Sequence, residues 1–292
     1  MSEPRTIMTG IVFGESPRWH DGRLWFSDWA RQEIITVTPS GHSETVLSGL
    51  SEGFGPACID WLPDGRLLVV SGQQQALLRR EADGTLARHA DLSAAFGHPN
   101  WNEVNVDSRG NAFVNNIGFD FPGGEFAPGI VAVVTPDGSA RVVAEGFGFP
   151  NGMAVTPDDS TLIVAESYAH QLTAFDIAPD GGLSNRRVWA YLGDAAAPDG
   201  ITLDAEGAVW YADVPNQHCR RVAEGGEVLQ TVEADLGCFS CALGGGADGG
   251  SASSRPTLYI VVADWSKGPE MFSGPPTGKI LAVDVPVAGV CQ

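Results

Sequence analysis

Three short segments of the sequence place an oxygen-bearing side chain at the start of an apolar run. They are Phe13-Gly14-Glu15-Ser16-Pro17, Phe149-Pro150-Asn151-Gly152 and Ala197-Pro198-Asp199-Gly200. Carboxylate and amide oxygens without Cys or His beside them are hard ligands, which suit Ca²⁺, Mg²⁺ or Mn²⁺. Three such ligands would leave coordination positions for water and substrate, as Lewis-acid catalysis requires. The alternative is that the Asn-Gly and Asp-Gly dipeptides only form tight turns.

These segments belong to a repeating pattern. Short turn signals separate apolar runs at intervals of 42 to 49 residues, at Asp21-Gly22, Asp64-Gly65, Arg109-Gly110, Asp158-Asp159, Glu206-Gly207 and Asp248-Gly249. Six repeats of about 45 residues, each built from short strands, are typical of a propeller. No helix with 3.6-residue periodicity is evident. The sequence therefore predicts an all-β, six-bladed β-propeller with four antiparallel strands per blade, as a single domain over residues 1–292.

The strand pattern also predicts how the ring closes. The second strand of each blade is expected at Leu24 to Asp28, Leu67 to Ser71, Ala112 to Asn116, Leu162 to Glu166, Val209 to Asp213 and Leu258 to Val262. The sixth unit supplies only three strands, whereas Arg5 to Thr9 precedes the first unit without a partner there. We expect this N-terminal strand to join the last blade as its outer strand, so that the ring has no free edge.

Propeller geometry would bring the oxygen-bearing side chains together. The innermost strand of each blade starts at one face near the axis, and the second strand returns to that face. The innermost strands start near Glu15, Cys58, Asn102, Asn151 and Asp199, and the second strands end in Asp28, Ser71, Asn116, Glu166 and Asp213. One face thus collects carboxylates and amides, and like charges so close raise one another's pKa unless a cation lies between them.

The composition excludes several classes of partner. With 17 Lys and Arg against 36 Asp and Glu, the formal net charge is −19, which disfavours nucleic acid and anionic membrane. No apolar run reaches the ~20 residues of a membrane span, and Met1 to Val12 lacks the apolar core of a signal peptide. An odd number of cysteines (Cys58, Cys219, Cys238, Cys241 and Cys291) is a poor disulfide framework. We expect a cytoplasmic protein in which Cys238 and Cys241 are small core residues.

In order and spacing, Gly14-Glu15-Ser16-Pro17, Phe149-Pro150-Asn151-Gly152 and Pro198-Asp199-Gly200 resemble the motifs of the gluconolactonase, regucalcin and luciferin-regenerating enzyme family. Cys241-Ala242-Leu243-Gly244-Gly245 is similar to the motif of that family's last blade. The resemblance covers essentially the whole chain. It implies a propeller with one divalent metal ion on the axis, bound by Glu15, Asn151 and Asp199. Ca²⁺ is the first choice of ion, with Zn²⁺, Mn²⁺ or Mg²⁺ as alternatives.

The resemblance also implies substrate contacts. The family carries Arg-x-Asn-Asp-Gly at the start of the third blade, where this chain has Asn100-Trp101-Asn102-Glu103-Val104. Asn102 matches the substrate-contacting Asn, and Asp120 matches an acidic substrate contact after the next strand. In this chain Asn100 occupies the position of the Arg that binds sugar hydroxyls or a carboxylate in the family, and Trp101 follows it. We therefore expect a substrate that is less sugar-like than gluconolactone.

Aromatic residues of the loops on this face favour an apolar pocket. The loops Ile117 to Gly129 and Ala263 to Gly278 carry Phe119, Phe121, Phe126, Trp265, Met271 and Phe272, and a shorter loop carries Tyr168 and His170. We predict substrate contacts from Trp101, Tyr168 and His170. The alternative is that the loop aromatics only pack the loops down. His98 and His170 are candidate proton carriers or ordinary polar contacts.

The leading hypothesis is a lactonase-type carboxylic ester hydrolase that opens a small-molecule lactone or related cyclic ester. The ion would polarise the carbonyl while Asp199 activates a water as general base, and Asn102 and Asp120 would orient the substrate. One alternative is another metal-dependent ester or phosphotriester hydrolase on the same scaffold. Another is a non-catalytic propeller that binds proteins. A protein-binding propeller does not need Glu15, Asn151 and Asp199 together on its axis.

Overall fold

Four-stranded antiparallel sheets make up the described structure. The computed structural model describes residues 3–51, 55, 57–98, 100–245 and 255–290. Its strands form six sheets, and the innermost strands of consecutive sheets contact one another around a ring. The protein is a six-bladed β-propeller, as the repeat of about 45 residues predicts.

Blades one to three follow the chain in order, each running from the innermost to the outermost strand. Blade one contains β2 (Gly14–His20), β3 (Arg23–Asp28), β4 (Glu33–Val37) and β5 (Ser43–Ser48). Blade two contains β6 (Ile59–Trp61), β7 (Leu67–Ser71), β8 (Ala76–Arg80) and β9 (Leu86–Asp91). Blade three contains β10 (Trp101–Val106), β11 (Ala112–Asn116), β12 (Gly129–Val134) and β13 (Ala140–Phe147).

The other three blades are built in the same way, and the last one closes the ring. Blade four contains β14 (Pro150–Val155), β15 (Thr161–Glu166), β16 (Gln171–Ile177) and β17 (Leu183–Tyr191). Blade five contains β18 (Pro198–Leu203), β19 (Val209–Asp213), β20 (His218–Val222) and β21 (Val228–Glu233). Blade six contains β22 (Gly237–Gly244), β23 (Thr257–Ala263), β24 (Gly278–Asp284) and the N-terminal strand β1 (Arg5–Ile11). Because β1 pairs with β24, with Arg5 opposite Ala282, the predicted closure is confirmed.

Burial follows the position of each strand in its blade. The second strands β7, β11, β19 and β23 are buried along their whole length, because both of their faces pack against neighbouring blades. The outermost strands β5 and β21 have exposed residues that face solvent. Fully buried aromatic side chains such as Phe26, Trp210 and Tyr259 fill the space between blades.

Apart from strands, turns and loops, the described residues form one short helix. A 3₁₀ helix spans Gly268–Phe272, and no helix among the described residues has the length and apolar character that a membrane span needs. Cys58, Cys219, Cys238 and Cys241 are buried and free of disulfides, which confirms the prediction that Cys238 and Cys241 are core residues. The predicted turn at Asp248-Gly249 and Cys291 lie outside the described residues.

Candidate active site

The innermost strands interrupt their pairing at equivalent points. In blades three, four and five, the first residue of the strand lies opposite the last residue of the second strand, and pairing resumes three residues later. Blade one has a similar break between Glu15 and Arg18. Asn102, Asn151 and Asp199 each occupy the first position within the break of their blade. A bulge of this kind redirects a side chain away from the regular alternation of the strand.

The dipeptides Asn151-Gly152 and Asp199-Gly200 lie inside strands, so their interpretation as tight turns is wrong. Neither glycine has a positive φ. They are needed for close packing instead: a Cβ on Gly152 would lie 2.6 Å from the carbonyl oxygen of Asp199, and one on Gly200 would lie 1.8 Å from Oγ of Ser240. Glycine therefore lets the innermost strands of blades four, five and six approach one another near the axis.

Glu15 and Asp199 form a buried carboxylate pair that reaches across blades one and five. Glu15 is 6% exposed and Asp199 is 8% exposed. Burial raises the pKa of Glu15 well above its ordinary value, and the charges of Asp199 and Glu103 raise it further. Burial also raises the pKa of Asp199 well above its ordinary value, with further contributions from the charges of Glu103 and Asp213. A smaller contribution from the side-chain amide of Asn151 lowers the pKa of Asp199.

The residues of this pair fit a divalent cation. Oδ1 of Asp199 is buried and has no hydrogen-bond partner, which is costly unless a ligand satisfies it. Within the described ranges, no three His, Cys, Asp or Glu side chains come together in a way that could hold a metal ion. The predicted ligand set contains only two carboxylates, Glu15 and Asp199, and its third ligand is the side-chain amide of Asn151. To ligate a cation, Asn151 must present Oδ1, because its Nδ2 is the atom that hydrogen-bonds to Oγ of Ser167 at 3.5 Å.

Two buried side chains fix the main chain at the predicted ligands. The Asn115 amide donates to the carbonyl oxygen of Asn151 at 2.6 Å and accepts a bond from the main-chain N–H of Glu103 at 3.0 Å. Ser167 donates from Oγ to the carbonyl oxygen of Pro198 at 2.7 Å. Blades three, four and five are thereby tied together at the residues that carry the side chains of the site.

Glu103 is a site residue that the sequence analysis missed as a functional group. It is 4% exposed, and its Oε1 accepts bonds from Oγ of Ser16 at 3.1 Å and from Nη2 of Arg18 at 3.2 Å. The available signal was its place in the run Asn100 to Val104, where the family motif has an Asp. Cys58 lies nearby, since the charges of Glu103 and Glu15 add to the effect of burial in raising the pKa of its thiol.

The predicted substrate contacts differ in their accessibility. Asn102 is buried beside Glu103 at 8% exposure, whereas the Asp120 side chain is 81% exposed, with its Oδ1 3.8 Å from Nε2 of His98. Nδ1 of His170 lies 2.5 Å from the carbonyl oxygen of Ala196, three residues before Asp199. Of these side chains, His170 therefore also supports the loop that leads into blade five.

The predicted contact of Trp101 with substrate does not agree with its position. Trp101 has no exposed surface and packs in the apolar core with Leu92, Val104 and Ile130. The irregular pairing between Trp101 and Val104 changes the alternation of side chains, and the indole consequently points into the core. Asn100 contributes by donating to the carbonyl oxygen of Phe119 at 2.6 Å, which fastens the loop between β11 and β12.

Five rings from this loop and from blade four form an aromatic cluster next to Asn151. Its members are Phe119, Phe121, Phe126, Phe149 and Tyr168, with centroids 4.9 Å apart for Phe149 and Tyr168 and 5.1 Å apart for Phe121 and Phe149. Phe121, Phe126 and Tyr168 remain about half exposed. Phe149, two residues before Asn151, has a φ of 61°, which is strained for a bulky residue. The cluster therefore combines fixed aromatic packing with an exposed apolar surface.

The loop between β23 and β24 behaves differently. Met271 is buried and Phe272 partly buried, and both pack with Phe13 and Phe239. Trp265 alone among the aromatic residues of this loop is largely exposed, at 42%. The interpretation that loop aromatics pack their loop down is correct for Phe272.

A separate cavity of about 620 Å³ lies at the opposite end of the central channel. Residues from the far ends of the innermost strands line it, including Arg18, Asn105 and Val155. Glu15, Asn151 and Asp199 are not among its lining residues. Arg18, which lines this cavity, donates from Nη2 to Oε1 of Glu103 at 3.2 Å.

Comparison with known proteins agrees with the fold and the motifs. Residues 13–263 match the SMP-30/Gluconolactonase/LRE-like region. A pentonolactonase of Haloferax volcanii is 26% identical over 282 residues, which cover 85% of this chain and 88% of the relative. A 6-deoxy-6-sulfogluconolactonase of Pseudomonas putida is 25% identical over 289 residues, covering 96% of this chain and 94% of the relative. The crystal structure of a regucalcin from Agrobacterium tumefaciens has a TM-score of 0.77 at 19% identity, over 99% of this chain and 98% of that one. The chain belongs to the SMP-30/gluconolactonase/LRE-like family.

Proposed function

We propose that the protein is a divalent-metal-dependent hydrolase that opens a lactone or a related cyclic ester. The observation that carries the proposal is the buried Glu15 and Asp199 pair, in which Oδ1 of Asp199 lacks a partner and Asn151 supplies an adjacent amide. Two carboxylates and an amide form a hard oxygen donor set. Glu15, Asn151 and Asp199 would hold the ion, with Ca²⁺ as the proposed species and Zn²⁺, Mn²⁺ or Mg²⁺ as alternatives.

In this scheme the side chains divide the chemistry among them. When bound, a divalent cation would polarise the ester carbonyl and stabilise negative charge that develops on its oxygen. Asp199 accepts a proton from a water molecule whose oxygen attacks the carbonyl carbon. The bond between that carbon and the ring oxygen then breaks, and the ring oxygen takes the proton from Asp199. The products are a free carboxylic acid and a hydroxyl group on one molecule.

The surroundings of the site support a substrate that is less sugar-like than gluconolactone. Three half-exposed rings, Phe121, Phe126 and Tyr168, present apolar surface beside Asn151. Asn100 stands where the family motif has an Arg, and its amide is already occupied by the carbonyl oxygen of Phe119. An apolar substituent on the lactone gains more from such a wall than a polyhydroxy chain does. Asn102, Asp120 and His170 are the proposed polar contacts.

The relatives support the same reaction class. The Haloferax volcanii and Pseudomonas putida proteins are lactonases, and each aligns with most of this chain. The Agrobacterium tumefaciens regucalcin is described as a calcium-binding protein, which favours Ca²⁺ among the candidate ions. Phosphotriester cleavage would use the same ligands, and a protein-binding platform would need none of them.

Substrate profiling of the metal-stripped and metal-loaded protein tests the proposal. We expect chelator to remove activity on a panel of apolar and sugar lactones, and Ca²⁺ to restore it. Asp199→Asn should abolish hydrolysis, whereas Asp83→Asn, which changes an exposed turn carboxylate of blade two, should not. Metal-dependent turnover of phosphotriesters but of no lactone would favour the alternative hydrolase. Absence of both metal binding and turnover would favour the binding platform.

A further inference from the structure

We propose that Ser167 is a further positioning residue of the ligand set: its hydroxyl group fixes the orientation of the Asn151 side-chain amide, so that Oδ1 rather than Nδ2 is available to a divalent cation. The inference rests on the proposed function, because it takes Asn151 as a ligand. Ser167 acts through Asn151 and is not itself a ligand.

Asn151 differs from the other two proposed ligands because it needs a fixed orientation. A carboxylate such as Glu15 or Asp199 carries an oxygen at both ends, so either end can face a cation. An amide carries an oxygen at one end and an NH₂ group at the other, and a half-turn of the amide exchanges them. Only the carbonyl oxygen can ligate a cation, because the NH₂ group is a hydrogen-bond donor. A group that distinguishes the two ends of the Asn151 amide therefore determines whether the ligand set is complete.

The hydroxyl of Ser167 distinguishes the two ends of the amide because it has a single hydrogen. Ser167 donates this hydrogen from Oγ to the carbonyl oxygen of Pro198 at 2.7 Å, the usual length of such a bond. A carbonyl oxygen only accepts, so the direction of this bond is fixed. Oγ of Ser167 can then only accept from Asn151, and Nδ2, 3.5 Å away, is the end of the amide that can donate.

The same arrangement disfavours the reversed orientation of the amide. A half-turn would place Oδ1 of Asn151 against Oγ of Ser167, and two acceptors would meet without a hydrogen between them. At 3.5 Å the hydrogen bond from Nδ2 is weak, and the repulsion that a reversed amide would meet adds to the preference. Oδ1 of Asn151 is consequently directed away from Ser167.

Main-chain contacts hold Ser167 in place. Ser167 directly follows β15, is 8% exposed, and donates from its N–H to the carbonyl oxygen of Phe149 at 3.0 Å. Phe149 lies two residues before Asn151, and Pro198 directly precedes Asp199. The hydroxyl is thus fixed between the segments that carry two of the proposed ligands. Hydrogen bonds of this kind orient the ligands of metal sites, and their loss typically lowers metal affinity by about 10- to 100-fold.

Titration of the full chain with Ca²⁺ against a competing chromophoric chelator tests the inference, with circular dichroism to verify folding. Ser167→Ala removes the acceptor for Nδ2 of Asn151 and should weaken the Kd for Ca²⁺ by at least about tenfold. Ser167→Thr keeps a hydroxyl group at this position and should recover most of the affinity that Ser167→Ala loses.

Ser27→Ala provides the comparison for a purely structural role. Ser27 is buried, and its Oγ donates to the main-chain carbonyl of Glu15 at 3.2 Å and accepts from Nε1 of Trp29 at 3.0 Å. This change therefore removes a buried hydroxyl that supports the main chain of a proposed ligand, as Ser167→Ala does, but that bonds to no ligand amide. We expect a smaller loss of Ca²⁺ affinity for Ser27→Ala than for Ser167→Ala.

A double-mutant cycle with Asn151→Asp separates the orientation of the amide from general support of the site. An aspartate at this position carries an oxygen at both ends, so its orientation no longer matters. Ser167→Ala should therefore weaken Ca²⁺ binding far less in the Asn151→Asp background than in wild type, as expected for two coupled residues.

Four results would overturn the inference: a Ser167→Ala variant that binds Ca²⁺ like wild type, a Ser167→Thr variant as weak as Ser167→Ala, equal losses of affinity for Ser167→Ala and Ser27→Ala, or equal effects of Ser167→Ala in the wild-type and Asn151→Asp backgrounds. Each of these leaves the proposed ligand set intact, provided that wild type binds Ca²⁺ and Asp199→Asn does not. A wild-type protein that binds no divalent cation would instead reject the ligand set and this inference together.

Discussion

The side-chain amide of Asn115 donates a hydrogen bond to the main-chain carbonyl of Asn151 at 2.6 Å. Asn115 belongs to β11 of blade three and is fully buried, whereas Asn151 begins the break in β14 of blade four. The same amide accepts the N–H of Glu103 at 3.0 Å. One buried side chain thus connects the main chain of a proposed ligand with the main chain of Glu103.

Asn115→Ala should therefore weaken both the fold and the site. The change leaves a buried N–H and a buried C=O without partners, at a cost of about 1–3 kcal/mol in the free energy of unfolding. We expect weaker Ca²⁺ binding as well, because Asn151 loses its support. Asn111→Ala is the matched control, since Asn111 is buried in the same blade and bonds to Asp107 away from the site. Equal Ca²⁺ affinity in the two variants would show that Asn115 has only a structural role.

Gly200→Ala tests whether close packing of the innermost strands requires glycine. A Cβ at this position would lie 1.8 Å from Oγ and 2.7 Å from Cα of Ser240, so β18 and β22 must move apart. We expect a loss of at least about 1–3 kcal/mol in urea unfolding. Gly97→Ala is the control, because its Cβ would meet no atom within 4 Å and its φ is not positive. Equal stability of the two variants would contradict the packing argument.

Repetition made the architecture predictable from the sequence. The strands Leu67–Ser71, Ala112–Asn116 and Val209–Asp213 have the predicted bounds, because turn residues flank runs of apolar and β-branched residues. The N-terminal strand was assigned to the last blade because that blade lacked one strand and a propeller leaves no open edge. The equivalent positions of Glu15, Asn151 and Asp199 followed from the same count of repeats.

Contacts between distant segments could not be predicted in this way. Glu103 meets Arg18 and Ser16, which lie at least 85 residues away in the chain, and no local pattern reports such a meeting. Trp101 was expected to face a ligand, yet irregular strand pairing turns it into the core. Nor does the sequence of the Asn-Gly and Asp-Gly dipeptides indicate that their glycines allow close packing between neighbouring strands. Strand periodicity specifies the blade, while bulges and long-range contacts specify the side-chain directions.

Asp60 should make the stability of the fold depend on pH. Burial raises the pKa of Asp60 to about 6, with a smaller contribution from the charge of Glu103, while Arg18 and hydrogen bonds from Trp61 and Val106 act in the opposite direction. Below about pH 4, Asp60 is protonated in both folded and unfolded chains, and its contribution to stability is fully present. As the pH rises through about 6, the folded chain must release a proton that it holds more tightly, and stability falls by roughly 3 kcal/mol.

Urea unfolding between pH 4 and pH 8 measures this dependence. Asp60→Asn should lose less stability than wild type over that range. Asp64→Asn is the control: a hydrogen bond with Arg66 lowers the pKa of Asp64, so its contribution is lost only below about pH 4, and its profile between pH 4 and pH 8 should parallel that of wild type. Parallel pH profiles for wild type and Asp60→Asn would contradict the assignment of the raised pKa to Asp60.

The aromatic cluster should determine which lactones the protein accepts. Phe121 and Phe126 are each about half exposed and extend the apolar surface beside Phe149 and Asn151. If a lactone substituent packs on them, Phe121→Ala and Phe126→Ala should each raise KM for an aryl or long-chain alkyl lactone by about tenfold, which corresponds to ~1.4 kcal/mol of lost binding. KM for a sugar lactone should change little, since a polyhydroxy chain gains little from apolar surface.

Trp265→Ala separates this effect from a general loss of loop order. Trp265 is similarly exposed, at 42%, but lies on the loop between β23 and β24, whose other aromatic residue packs with Phe13. Its removal should leave the ratio of kcat/KM for apolar and sugar lactones unchanged. If Phe121→Ala and Phe126→Ala also leave that ratio unchanged, the rings only pack the loop between β11 and β12, and substrate preference arises from the polar contacts at Asn102 and Asp120.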